Sequence, residues 1–511
     1  AFTAYALVRA AQAWGARSLA GGIAASLFAF SPLAWSLSTS PEVFALNAAL
    51  TAVILALAGP EATWTGTRRV LALSFVAGLA LTNHHTAVLL APAGLYGVFL
   101  GVRESDRRSL ALAGGPVFLA LGLLPYLYLP WSLRDAPGPW YWGNLDSVPG
   151  LIHHILRRDY GTTSLGIRSD DVSVWMQWSR FGLAMLDQSR WFGFFVGLMA
   201  AIWLLVGGRQ DDRLPSRRQT LVLLATFLVT GPAFLSAFNL APSGMARHVV
   251  ERFYLMPLAV GTVMTALGIE LVLSSVRVSV ESGLSAMVAT ACIAAATAFP
   301  TVAEHHRPDV ELYVRNALRQ SPPRAVLMGT GDHRLFPFLY ARRALGLRDD
   351  VVYLDPMMMH YDWYRARMEH ETGLEFPAPN GATVDTVALA NTIFAAGRPL
   401  LLTNFFSSGI PKNFKTYPVG VLLRVLRPGE RPPAPGDLMR ENLAVFRQFD
   451  LPPVAPTDPE SWARDVHETY LRPWTQLRDA FLATGDTINA TQCDQTARRL
   501  APWLPETKAV P

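Results

Sequence analysis

Residues 1–300 return repeatedly to apolar runs close to membrane length, and that recurrence constrains the fold more than any other feature. The runs fall at 1–13, 18–37, 43–59, 70–82, 86–102, 109–130, 191–207, 219–239, 252–274 and 283–300. A helix crossing the hydrocarbon core needs ~20 apolar residues, and several runs approach that. Only 16% of the 511 residues are charged, where a soluble chain carries about a quarter. The expected fold is therefore a polytopic α-helical membrane protein over 1–300, with a soluble C-terminal part. The opening stretch "AFTAYALVRAAQAW" reads as the tail of a helix, so sequence upstream of Ala1 is expected. A net charge of +5 is too mild to argue for nucleic acid. Lysine occurs only at Lys412, Lys415 and Lys508, a bias of composition rather than function. Two cysteines, Cys292 and Cys493, make neither a disulfide framework nor a cysteine-built zinc site.

Basic residues in the loops set an orientation, since cytoplasmic loops carry the excess of Lys and Arg. Arg17, the Arg68–Arg69 pair, Arg103 with Arg107 and Arg108, Arg209 with Arg213, Arg217 and Arg218, and Arg277 fall on alternate loops. Those loops are assigned to the cytoplasm. The outer side then receives "STSPE", "NHH", the loops 131–190 and 240–251, and everything after Pro300. Asn83, His84 and His85 become a turn between two helices at the outer edge. Buried in lipid, a charged group would cost roughly 2.5–3.5 kcal/mol on insertion scales. A wet turn would explain the three alone. Their company favours a site: Glu42, Arg134, Asp135, His153, His154, Arg157, Arg158, Asp159, Glu251 and Arg252 map to the same face.

Loop 131–190 opens with Trp131, Trp140, Tyr141 and Trp142, side chains suited to the headgroup zone. "LIHHILRRDYG" follows, with Leu151, Ile152, Ile155 and Leu156 on one helical face and His153, His154, Arg157 and Arg158 on another. Such a helix lies in the interface plane, and its cations can pair with phosphate oxygens. Generic attraction to anionic headgroups is the plainer reading, but it leaves the accompanying carboxylates unexplained. A second apolar stretch, 172–186, follows. No metal is expected: adjacent histidines (His84–His85, His153–His154, His305–His306) point about 100° apart on a helix, and no i, i+4 His pair exists. No cofactor is implied.

From Thr301 short apolar runs alternate with helical patterns. Strands are expected at 325–330, 351–354, 399–403 and 419–426, and helices at 333–346, 360–372 and 384–396. This is a βα alternation, hence a parallel sheet with covering helices over 301–426. Asp332, Asp355 and Asn404 stand at strand ends, where open sheets bind ligands, or cap the next helix. "GTGDH" lacks the ending of a phosphate-binding P-loop. A proline-rich linker at 427–436 precedes a helical tail, 437–511.

Several of these stretches together resemble a known family: "SPEVFALNAAL", "GLALTNHHTAVLLAP", "LGLLPYLYLPWSLRD" followed by "LRRDYG", and "GTGDHRLFPFLYARRALGLRDDVVYLD" with "YDWYRAR". They are similar, in matching order across most of 18–370, to the transmembrane protein 260-like family, whose bacterial members were long a domain of unknown function. The resemblance implies a GT-C-like fold with an extracytoplasmic C-terminal domain, in the inner (plasma) membrane. It implies a glycosyltransferase that takes a sugar, mannose being the candidate, from a polyprenyl-phosphate donor to a hydroxyl of a protein or glycan acceptor on the outer face. The family's catalytic acid falls in a loop upstream of Ala1, so this chain is expected to lack it. Within the chain, Glu42, His84, His85 and Asp135 are the expected catalytic groups. Asn83, Arg134, His154, Arg158, Asp159, Tyr160 and Arg252 are the expected substrate contacts. Two rivals stand beside this reading: a transporter or flippase, which would place polar groups near mid-membrane, and a membrane-anchored binding module working through the soluble α/β domain.

Overall fold

The apolar runs of the first 306 residues fold as helices, because backbone groups facing lipid find partners only within the segment. The computed structural model describes residues 1–133, 142–145, 147–160, 172–207, 214–276, 279–379, 384–404 and 409–503. Two compact units emerge: residues 1–138 with 145–306, and residues 139–144 with 307–511.

In the first unit, five helical segments are long and apolar enough to cross a membrane: His85–Glu104, Arg108–Ser132, Arg217–Phe238, Leu255–Ser275 and one beginning at Val280. Two bent pairs bring the number to as many as seven. Such a set suits a multi-pass membrane protein. The run 18–37, expected as one crossing, bends by 69° between Ser18–Ala29 and Pro32–Ser38. Ser31 caps the second piece by accepting the Ala34 N–H, and Pro32 sits where no N–H is needed. The second bend, 111°, separates Val174–Gln188 from Phe192–Val206. There Arg190 and Trp191 both adopt positive φ, 57° and 61°, a conformation that ends a right-handed helix.

Leu255–Ser275 is apolar all round and forms the centre of this unit, as such a helix must. It packs on Phe192–Val206 and Ser18–Ala29. Small residues allow the approach: a Cβ on Gly197 would stand 2.9 Å from the Thr265 amide nitrogen. Thr265 Oγ1 donates to Gly193 O at 2.8 Å. In lipid this close van der Waals packing, not water exclusion, holds helices together. The outer helices instead expose Leu110, Leu112, Val117, Leu284 and Val288, side chains for which lipid is the fitting neighbour.

The second unit holds a five-stranded sheet of order β2-β1-β3-β5-β4, with β1 Val326–Met328, β2 Val352–Leu354, β3 Leu400–Leu402, β4 Thr416–Val419 and β5 Leu422–Val425. β1 pairs in parallel with both β2 and β3, Val326 opposite Val352 and Leu400. Their continuous apolar sequences reflect burial on both faces. Val326, Met328, Leu400 and Leu402 face Tyr364, Met368 and Leu389 on one side. Leu327, Tyr353 and Leu401 face Tyr313, Phe338 and Tyr470 on the other. The run at 419–426 departs from the expected parallel sheet. Gly420, at φ 56°, turns the chain so that β5 pairs antiparallel with both β3 and β4. β4, "TYPV", carries a proline and too little apolar pattern to announce a strand. Helices Pro435–Phe446, Trp462–Ala483 and Thr487–Leu500 complete the unit.

Candidate functional site

The "NHH" turn ends helix Gly66–Asn83, and hydrogen bonds tie it to the start of helix Val43–Ala58. Asn83 Nδ2 donates to Val43 O at 3.1 Å. His84 caps the helix, donating its backbone N–H to Ala80 O at 2.9 Å. Its Nδ1 accepts the Thr86 N–H at 3.3 Å and lies 2.7 Å from Thr86 Oγ1, which places the proton of the neutral ring on Nε2. The ring sits between Phe44 and Phe253, at centroid distances of 5.3 and 5.9 Å. Burial, with help from the nearby His85, Arg157 and Arg252, pushes its pKa down to about 4, so His84 is a neutral hydrogen-bonding group at physiological pH.

Glu42 precedes helix Val43–Ala58 and Arg252 ends helix Ala246–Arg252. They form an ion pair, Arg252 NH1 to Glu42 Oε1 at 2.9 Å, with each side chain about a third exposed. The guanidinium also lies over Phe44, 5.7 Å from the ring centroid. Among the sequence-designated residues, His84 and Arg252 therefore meet at Phe44, with Glu42 paired to Arg252 and Asn83 bonded to the adjoining Val43 carbonyl, although 210 positions separate Glu42 from Arg252.

His85 turns away from this group. The Tyr126 hydroxyl donates to Leu81 O at 3.1 Å, leaving its oxygen to accept from His85 Nε2 at 2.9 Å. The expected interfacial helix spans Val148–Ile155. His153 Nε2 pairs with Asp159 Oδ1 at 2.7 Å. His154 and Arg157 lie close enough to His85 for their charges to bear on it. Arg158 is exposed, so its neighbour Arg157 is the cation nearer the histidines. Tyr160 closes a short 3-10 turn, Arg158–Tyr160. Arg134 and Asp135 lie outside the described residues.

Three residues not singled out from sequence belong to the same group. Thr86 holds His84. Asn47 and Thr230 line a small cleft of about 10 Å³, room for roughly one water molecule and open in part to solvent, together with Phe44, Thr86 and Arg252. Asn47 was detectable as the lone amide in "VFALNAALTAVILALA", since polar groups in such runs are expensive and functional by default. Thr230 carried no such mark. A π-turn at Val229–Ala233, where Pro232 supplies no N–H, sets its placement. No group of three or more metal-ligating side chains occurs among the described residues.

Residues 6–107 match the family model for the protein O-mannosyl-transferase TMEM260 N-terminal domain. That segment contains Glu42, Asn47, Asn83, His84 and His85. The mouse protein O-mannosyl-transferase TMEM260 is 30% identical over 386 residues, which are 72% of this chain and 54% of the mouse protein. The chain belongs to the TMEM260-like family. The Dictyostelium discoideum protein O-mannosyl-transferase tmem260 is 26% identical over 294 residues, 54% of this chain and 36% of that protein. This TMEM260-like chain thus spans about half the length of the mouse relative and about a third of the Dictyostelium one. No solved structure matches it.

Proposed function

We propose that the chain is a glycosyltransferase of GT-C type that moves a sugar, mannose by the names of its relatives, from a polyprenyl-phosphate donor to a protein hydroxyl. The reaction is placed on the outer face of a bacterial inner membrane, with the C-terminal α/β unit on that same side. The observation that carries this reading is the Glu42–Arg252 pair beside neutral His84 at one mouth of the helical unit. In the transfer, the acceptor oxygen attacks the anomeric carbon. The bond from that carbon to the phosphate oxygen breaks, and the lipid phosphate leaves with the electron pair. The acceptor proton passes to a carboxylate. Arg252, held by Glu42, faces the charge that develops on the leaving phosphate, and neutral His84 offers its Nε2–H as a donor, while the N–H of His85 is committed to Tyr126. A cation fixed in advance beside developing charge is worth more than one recruited from water. With Glu42 occupied by Arg252, Asp135 is the carboxylate in this chain assigned to the acceptor proton. His154, Arg157 and Arg158 are assigned to the lipid phosphate or its neighbours in the headgroup layer.

The test is the purified chain in nanodiscs with polyprenyl-phosphate mannose and an acceptor peptide. Arg252→Ala is expected to lower transfer about a hundredfold, within the range seen when one preorganised donor is removed. Wild-type transfer that survives Arg252→Ala and His84→Ala together would dismiss this site. Flux of the lipid across vesicles without any transfer would instead favour a flippase.

A further inference from the structure

Tyr126 decides which nitrogen of His85 is available. Leu81 O is one of the last carbonyls of helix Gly66–Asn83, where no further turn supplies an N–H. A carbonyl only accepts, so it takes the single proton of the Tyr126 hydroxyl at 3.1 Å. The phenol oxygen then accepts from His85 at 2.9 Å, which puts the ring proton on Nε2. Nδ1 of the neutral ring is left as a lone pair with no hydrogen-bond partner among the described residues. His85 is only partly buried, and its Nδ1 is not sealed off as Asn47 Oδ1 and Arg252 Nε are. The charged neighbours that bear most on the two histidines of this turn are cations or imidazoles: Arg157 and His154 on His85, and His85, Arg157 and Arg252 on His84. They come from several elements. Tyr126 belongs to the turn Leu124–Leu127, His154 to helix Val148–Ile155, Arg157 follows that helix, and Arg252 ends Ala246–Arg252. Asp159 bears on His154 and pairs with His153 at 2.7 Å. Arg157 is held at φ 51°, a left-handed backbone that non-glycine residues keep at a cost and chiefly at functional sites. Such surroundings favour an anion beside the Nδ1 lone pair.

An anion without a proton would set its own lone pairs against that of Nδ1. A phosphate monoester does not have this difficulty. Its second ionisation falls at about pH 6, close to the ordinary imidazole value of about 6.5. Beside an imidazole it either donates a P–O–H to the ring or carries a second charge that lets the ring keep a proton. A glycosylated lipid phosphate is a diester with one charge and no such proton. Sugar transfer converts the second into the first: the bond from the anomeric carbon breaks, and the phosphate keeps the electron pair and gains a charge. Resting on the transfer reading above, we infer that His85 shares one proton with the product, the bare polyprenyl phosphate, between Nδ1 and a phosphate oxygen. The acceptor proton still passes to a carboxylate during the transfer; the shared proton comes from solvent as the product settles. His85 thereby favours the monoester over the diester and makes the chain subject to inhibition by its own product.

Proton uptake on binding is the measurement. The chain in nanodiscs is titrated calorimetrically with a short-chain isoprenyl phosphate and with its mannosyl ester, each in two buffers of different ionisation enthalpy. The pH is about 7.5, where a free phosphate monoester is nearly all dianion. Wild type is expected to take up about one proton per bare phosphate bound, from the shared-proton balance above, and none with the ester. His85→Gln keeps an N–H for Tyr126 but does not titrate. It is expected to take up no proton and to bind the bare phosphate at least fivefold more weakly, with the ester unchanged within twofold. His154→Gln is expected to keep the uptake. Thermal unfolding shows whether the variants are folded, and if His85→Gln is not, the two ligands on wild type still decide. No uptake by wild type, equal uptake with the ester, or undiminished uptake in folded His85→Gln overturns the inference. So does uptake that depends on His154 instead. Mannose transfer is scored separately. Uptake without transfer leaves the phosphate site and removes the enzyme, whereas transfer without uptake keeps the enzyme and removes the shared proton.

Discussion

Asp355 and Asp465 are carboxylates of the same unit, and burial with partners pulls them in opposite directions. Asp355 follows β2 and is 5% exposed. Burial raises its pKa to about 6, although it accepts the Met357 N–H at 2.9 Å. Asp465 is pushed up by burial too, but the hydrogen bond from His333 and the charge of Arg334 outweigh that, and its pKa falls below the ordinary carboxylate value. The signs follow. Between about 4, the usual unfolded value, and about 6, folded Asp355 keeps a proton that the unfolded chain has lost, so stability declines as pH rises through that window. Asp355→Asn is expected to be neutral near pH 3.5 and to stabilise the unit by on the order of 2 kcal/mol at pH 7. Folded Asp465 loses its proton first, so its contribution is full above about pH 4 and disappears as pH falls. Asp465→Asn leaves the buried Arg334 guanidinium short of its counter-ion and is expected to cost on the order of 3 kcal/mol at pH 7. Hydrogen exchange at the Val352–Leu354 amides against pH, each variant minus wild type, reads both slopes. Parallel curves for the two variants would refute the assignment.

At the scale of elements, the apolar runs located helices and the short runs located three parallel strands, because each pattern reports burial along one segment. Direction is not in the pattern. The bends after Ala29 and Gln188 depend on a cap at Ser31 and on left-handed backbone at Arg190 and Trp191, which residues of any hydropathy can supply. The same limit explains the site. Glu42, Asn83, His84 and Arg252 were legible because charge and imidazole are conspicuous at helix ends. Thr230 was not, because a π-turn rather than its side chain puts it in the cleft. His85 was legible as a residue but not as Tyr126's partner, since that pairing rests on how two helices pack. Gly78 and Gly122 make it possible: a Cβ on either would collide with the facing helix's carbonyl, Leu119 O or Phe75 O respectively. Gly122→Val is therefore expected to force helices Gly66–Asn83 and Arg108–Gly122 apart. The destabilisation should be roughly 1–3 kcal/mol, as for overpacking elsewhere, and should carry Tyr126 away from His85. Thermal unfolding in detergent checks the first effect. For the second, His85→Ala should add little to the transfer defect of Gly122→Val. Full additivity of the two would show that the helix contact does not act through His85.

At the scale of the whole molecule, the chemistry proposed for the first unit requires one membrane face to hold Glu42, the Asn83–His85 turn and Arg252. The arginine asymmetry argues that the loops at Arg68–Arg69 and Arg103–Arg108 stay in the cytoplasm, which puts Ser40, Glu42 and the Asn83–His85 turn on the other side. Helix Val43–Ala58 begins beside Glu42, and helix Gly66–Asn83 ends where Asn83 bonds to Val43 O. At the opposite ends of this group of helices, Arg69 NH1 meets Glu104 at 3.2 Å and Thr67 Oγ1 meets Ser105 Oγ at 2.6 Å. The two polar layers therefore cap opposite ends of the same helices, and they must face opposite aqueous phases if those helices cross the bilayer. Single-cysteine probes can decide it once Cys292 and Cys493 are replaced by serine and alanine. Ser40→Cys is expected to react with an impermeant maleimide in intact cells, and Arg107→Cys only after permeabilisation. The reverse pattern would move the cluster to the cytoplasm and abolish an outer-face transfer. Labelling of both positions in intact cells would mean that this group of helices does not span the membrane as read here, whatever the chemistry of Glu42, His84 and Arg252.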